Sequence, residues 1–186
     1  MRLFVAINFN DETRAQLLFV RDKLRSESKY GKFSEPENIH LTLIFLGECD
    51  AKQATSAKAA MDAVSFKPFP VRIERIGRFN RDGGDVWWAG VQESKPLIAM
   101  QAELTNKPIE AGFVLDKRKY SAHITFGRQV VTDATPEHVQ PFGENINCIE
   151  LMKSERINGK LTYTAIYTKE AIGFTDKTSG NKQRRA

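Results

Sequence analysis

A chain of 186 residues with 41% apolar and 27% charged residues has the make-up of a globular protein with room for a substantial core. No stretch approaches the roughly 20 consecutive apolar residues of a membrane span, and Cys49 and Cys148 have neither paired nor metal-ligand spacing, which argues for a reduced, intracellular protein without structural zinc. The net charge is +5, but Lys177, Lys182, Arg184 and Arg185 against Asp176 supply +3 of it from residues 175–186. That tail reads as a solvated, disordered segment, with attraction of a polyanion as the other reading.

RLFVAINF at 2–9 alternates, with Leu3, Val5, Ile7 and Phe9 on one side, the pattern of a strand. The acidic residues that follow and the lack of a small-residue cleavage site argue against a signal peptide. Asn10 caps a predicted helix to about Ser28, with Asp11 and Glu12 in its first turn and Leu17, Leu18, Arg21 and Leu24 at helical spacing. Gly31 and Pro36 mark a loop, and ENIHLTLIFLG at 37–47 is the next strand. DAKQATSAKAAMDAV from Asp50 predicts a second helix. FPVRIERIGRF (69–79) and DVWWAGVQ (85–92) predict a hairpin across NRDGG. A third helix is expected from Ser94 to about Glu110, kinked or ended by Pro108. YSAHITFGRQV (120–130) is again strand-like, and NINCIELMKSER (145–156) pairs with KLTYTAIYTKEAIGF (160–174) around Asn158-Gly159. Helices mixed with hairpins, without regular βαβ alternation, give an α+β class.

Within the strand at 37–47, His40 and Thr42 lie two apart and share one face, while Leu41 and Leu43 pack behind them. HITF at 123–126 repeats this geometry with His123 and Thr125, 83 residues later. One polar pair per half predicts two lobes facing each other across a cleft. His138, in PEHVQPF, has no such partner and reads as an ordinary loop histidine. Either paired histidine alone could be a hydrogen-bonded strand-edge residue; together they point to a site. A metal centre is the chemical rival, but no Asp, Glu or Cys lies two or four residues from either histidine.

Two facing imidazoles are a matched acid and base near neutral pH, so that one can be neutral while the other holds a proton. In-line displacement at phosphorus needs such a pair, because the attacking and leaving oxygens lie on opposite sides. The threonine hydroxyls would donate hydrogen bonds to non-bridging oxygens.

HLTL and HITF resemble the paired H-x-T-x motifs of the two-histidine phosphoesterase superfamily. RLFVAI, PENIHLTLIFLGE, VWWAGV, HITFGR and the closing strands resemble its RNA 2′,3′-cyclic phosphodiesterase branch, the 2′-5′ RNA ligase family, over residues 1–174. The resemblance implies one domain of two pseudo-symmetric lobes, each an antiparallel sheet flanked by helices. It also implies hydrolysis of a terminal 2′,3′-cyclic phosphate on RNA to a 2′-phosphate, without metal or cofactor and with reversible 2′-5′ joining. His40 takes the position of the proton donor and His123 that of the proton acceptor, with Thr42, Thr125 and Arg128 on the phosphate. Arg128 lies five residues from His123, an odd offset that turns it away from the cleft in a regular strand unless Gly127 hosts a bulge; a solvated surface arginine is the other reading.

Of Trp87 and Trp88 only one can face the core; the other is a candidate for stacking on a base, or packs under a helix. Arg78 and Phe79 are further candidates for RNA contact. A monomeric, cytoplasmic enzyme acting on RNA or an oligonucleotide with a cyclic phosphate end is expected, with no membrane partner. Two alternatives stay open: a phosphodiesterase for 2′-5′ oligonucleotides or small cyclic nucleotides, and a module that holds RNA ends without turnover. An intact acid–base pair argues against the second.

Overall fold

A computed structural model of the chain describes residues 1–115 and 118–173, so the basic tail at 175–186 lies outside the described residues. In chain order the elements are β1 (Arg2–Asn8), α1 (Asp11–Ser26), β2 (Ser28–Phe33), β3 (His40–Glu48), α2 (Ala51–Asp62), β4 (Phe69–Phe79), β5 (Asp85–Val91), α3 (Lys95–Glu110), β6 (His123–Thr132), β7 (Glu137–Ile146), β8 (Cys148–Ile157) and β9 (Lys160–Glu170), with a 3-10 turn at Pro36–Asn38 before β3. Each helix starts on a residue able to satisfy its free amides. The Asn10 side chain accepts from the Thr13 N–H at 2.8 Å, and Asp50 and Gln53 form a reciprocal capping box. Ser94 begins α3, which runs on to Glu110, two residues past Pro108.

Two antiparallel sheets make the α+β fold, ordered β3-β1-β8-β9 and β2-β6-β5-β4-β7. Outward from each motif strand the neighbours correspond: β3, β1, β8, β9 in one sheet match β6, β5, β4, β7 in the other, and β2 is an extra strand on the far side of β6. Two of the helices, α1 and α3, reach across to the other sheet, while α2 stays with its own. Although α1 follows β1 of the first sheet, it packs against β2 and β7 of the second, and Lys23 meets Glu137 at 3.1 Å. Conversely α3 follows β5 of the second sheet yet packs on α2 and β3, where Gln101 Nε2 donates to the Leu43 carbonyl at 3.3 Å.

Alternation along the central strands sends one row of side chains into a single core shared by both sheets. Leu3, Val5, Ile7, Leu41 and Leu151 enter it from the first sheet, and Ile73, Trp87, Ala89, Ile124 and Phe126 from the second. Each large member stabilises the fold by about 1.5–3 kcal/mol through burial. On the opposite face of the first sheet a smaller cluster of Phe4, Ala6 and Met152, flanked by Tyr163, forms a floor beneath the first motif.

Three sequence expectations are corrected. The segment around Gly31, expected as loop, forms β2, which pairs with β6. Residues 137–144, given no element, form β7 with Asn145 and Ile146, on the edge of the second sheet. His138 is consequently a strand residue opposite Arg75 rather than a loop histidine, although it is exposed. Both missed strands are edge strands in which half of the residues are exposed and only Ile146 is buried, and so lack the alternation that marks the central ones.

Candidate active site

β3 and β6 approach each other where the two sheets meet, and the Tyr120 hydroxyl, three residues before His123, donates to the Thr42 carbonyl at 3.2 Å. Thr42 and His123 line the same cleft. The local geometry repeats in each strand. His40 Nδ1 lies 2.8 Å from the carbonyl of Asn38, and His123 Nδ1 lies 2.7 Å from the carbonyl of Ser121, in both cases two residues upstream. A carbonyl can only accept, so Nδ1 carries the hydrogen in both rings and each neutral imidazole has its lone pair on Nε2. In His40 that lone pair faces the Thr42 hydroxyl at 2.9 Å.

The turn that positions His40 is itself anchored. Asn38 Nδ2 donates to the Leu161 carbonyl at 2.9 Å, and Glu37 pairs with Lys160 at 2.6 Å, tying the start of β3 to the β8–β9 hairpin. On the other side, the Ser34 hydroxyl donates to the Thr125 carbonyl at 2.9 Å.

Aromatic rings box in both imidazoles. His40 stands 5.0 Å from Phe4 and 5.3 Å, edge-on, from Tyr163. His123 stands 5.3 Å, edge-on, from Phe79 and 6.4 Å from Trp88. Trp88 therefore occupies the cleft face, whereas Trp87 is 1% exposed in the core. Gly77 leaves room for the Trp88 indole, because a Cβ there would collide with the ring. Arg78 belongs to the other side: it pairs with Asp85 at 3.2 Å and lies over Trp87.

The Arg128 parity problem is resolved by an extra residue in β6. Thr125 pairs with Trp88 and Gly127 with Trp87, so Phe126 is unmatched, and both Phe126 and Gly127 fall on the core side. The next residue, Arg128, returns to the side of His123 and Thr125. Its positive charge acts on both histidines. Burial is the main cause that lowers each imidazole pKa below its ordinary 6.5; the hydrogen bond from Nδ1 opposes this, and Arg128 lowers it further. Both rings are thus biased toward the neutral form in the free protein.

The family model described as LigT like Phosphoesterase matches residues 7–88. An RNA 2′,3′-cyclic phosphodiesterase of Archaeoglobus fulgidus is 36% identical over 129 residues, covering 69% of this chain and 72% of that protein. The chain belongs to the LigT-like phosphoesterases. A second relative of the same name, from Thermotoga maritima, is 32% identical over 131 residues, covering 69% of this chain and 70% of its own. Among solved structures, E. coli LigT complexed with 3′-AMP superposes with a TM-score of 0.81 at 25% identity, covering 92% of this chain and 98% of that one. The resemblance drawn from the two motifs is therefore met, as is the expected architecture.

In this LigT-like phosphoesterase two cleft residues lack any counterpart among the candidates that the sequence offered. Tyr163, from β9, packs against His40, and Arg128 partly offsets the rise that burial imposes on its phenol pKa. Phe45 lies five residues after His40, the same offset as Arg128 after His123. It arrives by the same device: Thr42 pairs with Ala6 and Ile44 with Val5, which leaves Leu43 unmatched and brings Phe45 opposite Phe4 on the cleft face. The equal offset was a usable signal for Phe45; nothing near Tyr163 in the sequence marks it.

Proposed function

We propose that the chain hydrolyses the terminal 2′,3′-cyclic phosphate of RNA to a 2′-phosphate. The observation that carries this reading is the doubled geometry of His40 and His123, each with Nδ1–H held by a backbone carbonyl and Nε2 left to move a proton. The relatives named RNA 2′,3′-cyclic phosphodiesterase and the 3′-AMP complex of E. coli LigT support the choice of substrate.

In this mechanism water attacks phosphorus in line with O3′, and His123 Nε2 accepts its proton. As the P–O3′ bond breaks, His40, protonated at Nε2, donates to the departing O3′, leaving a free 3′-hydroxyl and a 2′-phosphate. The Thr42 and Thr125 hydroxyls and the Arg128 guanidinium hold the non-bridging oxygens and stabilise the charge that builds there. A 5′-hydroxyl attacking in place of water, with the histidine roles unchanged, would join ends through a 2′-5′ bond, and exchanging the roles would cleave that bond back to the cyclic phosphate. Among the described residues no three His, Cys, Asp or Glu side chains gather into a metal-binding group.

Product analysis on an RNA oligomer ending in a 2′,3′-cyclic phosphate tests this reading. A 2′-phosphate product, formed undiminished in EDTA, is expected. A 3′-phosphate would contradict the assigned scissile bond, and loss on chelation with rescue by one cation would favour metal-assisted chemistry. Binding without turnover would leave only an RNA-end binding module.

A further inference from the structure

The cleft does not stop at the histidines. A cavity of about 970 Å³ runs from Thr42 and His123 along α3, walled by Phe45, Phe79, Thr105 and Ile109. That volume lies at the top of the roughly 300–1,000 Å³ typical of sites for whole small molecules, so one nucleotide with its phosphate at the histidines leaves much of it unfilled. Its chemistry is one-sided. Among the described residues lining it are the cations Arg81, Arg118 and Lys119, and no carboxylate. Arg81 and Lys119 are exposed, on opposite margins: Arg81 on the β4–β5 turn and Lys119 in the segment leading into β6. Phe45 is 59% exposed and Ile109 50%, unusual for large apolar side chains beside a cleft.

Apolar walls between cationic margins suit a nucleic-acid strand, whose bases have apolar faces and whose backbone is anionic. We propose that this cavity binds the penultimate nucleotide, the one 5′ of the nucleotide that carries the cyclic phosphate, with its base among the apolar walls and its flanking phosphates toward Arg81 and Lys119. The proposal rests on the RNA reading above and adds a direction to it: the strand leaves the histidines toward α3 and the β4–β5 turn, away from Tyr163 and β9. The enzyme is then built for oligonucleotide ends in preference to mononucleotides.

Binding and turnover are measured separately, so that the two readings fail separately. The binding probes are a fluorescent diribonucleotide ending in a 3′-phosphate and a nucleoside 3′-monophosphate competing with it. The diribonucleotide is expected to bind at least roughly tenfold more tightly, with a steeper dependence on salt. Arg81→Ala combined with Lys119→Ala should remove most of that advantage and flatten the salt dependence by about one unit for each phosphate no longer neutralised. Equal affinity for the two probes, or an advantage that survives the double substitution, overturns the proposal. Failure of the protein to turn over any cyclic phosphate would instead refute the hydrolytic reading, while the binding comparison still decides the cavity.

Discussion

The Tyr120 hydroxyl donates to the Thr42 carbonyl at 3.2 Å, a bond from the segment that leads into the second motif to the strand that carries the first. Burial pushes the Tyr120 phenol pKa far up, so this donor stays protonated throughout the working range. Tyr120→Phe should lower stability by about 1 kcal/mol and kcat by on the order of tenfold, since small misplacements of reacting groups are expensive. If the residue positions rather than binds, kcat falls while KM is nearly unchanged; steady-state kinetics with a thermal melt checks this.

His40→Ala and His123→Ala should each reduce hydrolysis of a 2′,3′-cyclic phosphate by roughly 100- to 10,000-fold. Both side chains are only half-buried, so circular dichroism should report an intact fold. Substantial turnover by either folded variant would remove that histidine from the proton transfers.

Acidity offers an independent check. The base works above its pKa and the acid below its own, and burial, aided by Arg128, moves both below 6.5. A bell-shaped kcat/KM with its maximum on the acid side of pH 6.5 is therefore expected. Arg128→Gln removes one of the lowering influences, so both limbs should move to higher pH while kcat/KM drops because the phosphate is deprived of a cationic partner. A profile that falls in height without moving would mean that the guanidinium does not act on the imidazoles.

Gly77 is a position where a single methyl group should be felt at the site. A Cβ there would meet the Trp88 ring, which rests against His123. Gly77→Ala should destabilise the protein by about 1–3 kcal/mol through overpacking and lower kcat, with a change in tryptophan fluorescence. An unaltered emission spectrum together with wild-type kcat would show that the indole has room to spare.

What the sequence made legible follows the physics of burial. Strands β1, β4, β5 and β8 declare themselves through apolar alternation because one face of each enters the core. Strands β2 and β7 sit on sheet edges, and β7 even accommodates Pro141, so their sequences carry little of that pattern. His40, Thr42, His123 and Thr125 could be paired on paper because the motif repeats and side chains two apart share a face. Arg128 and Phe45 could not be oriented by the same rule. An unmatched residue, Phe126 in one strand and Leu43 in the other, reverses the alternation between the threonine and the fifth position. Tyr163 reaches His40 from a hairpin distant in sequence, a relation that only the assembled sheet creates.

The exchange of α1 and α3 between the sheets has a thermodynamic corollary. Neither half of the chain can cover its own apolar surface: the sheet bearing His123 relies on a helix encoded before His40, and β3 relies on one encoded after it. Separated halves would each expose a wide greasy face, so they should be insoluble apart and regain structure when mixed. In the intact chain the same interdependence favours all-or-none melting. His40 and His123 are then lost in one transition, with no partly unfolded form that keeps one of them ordered and releases the other.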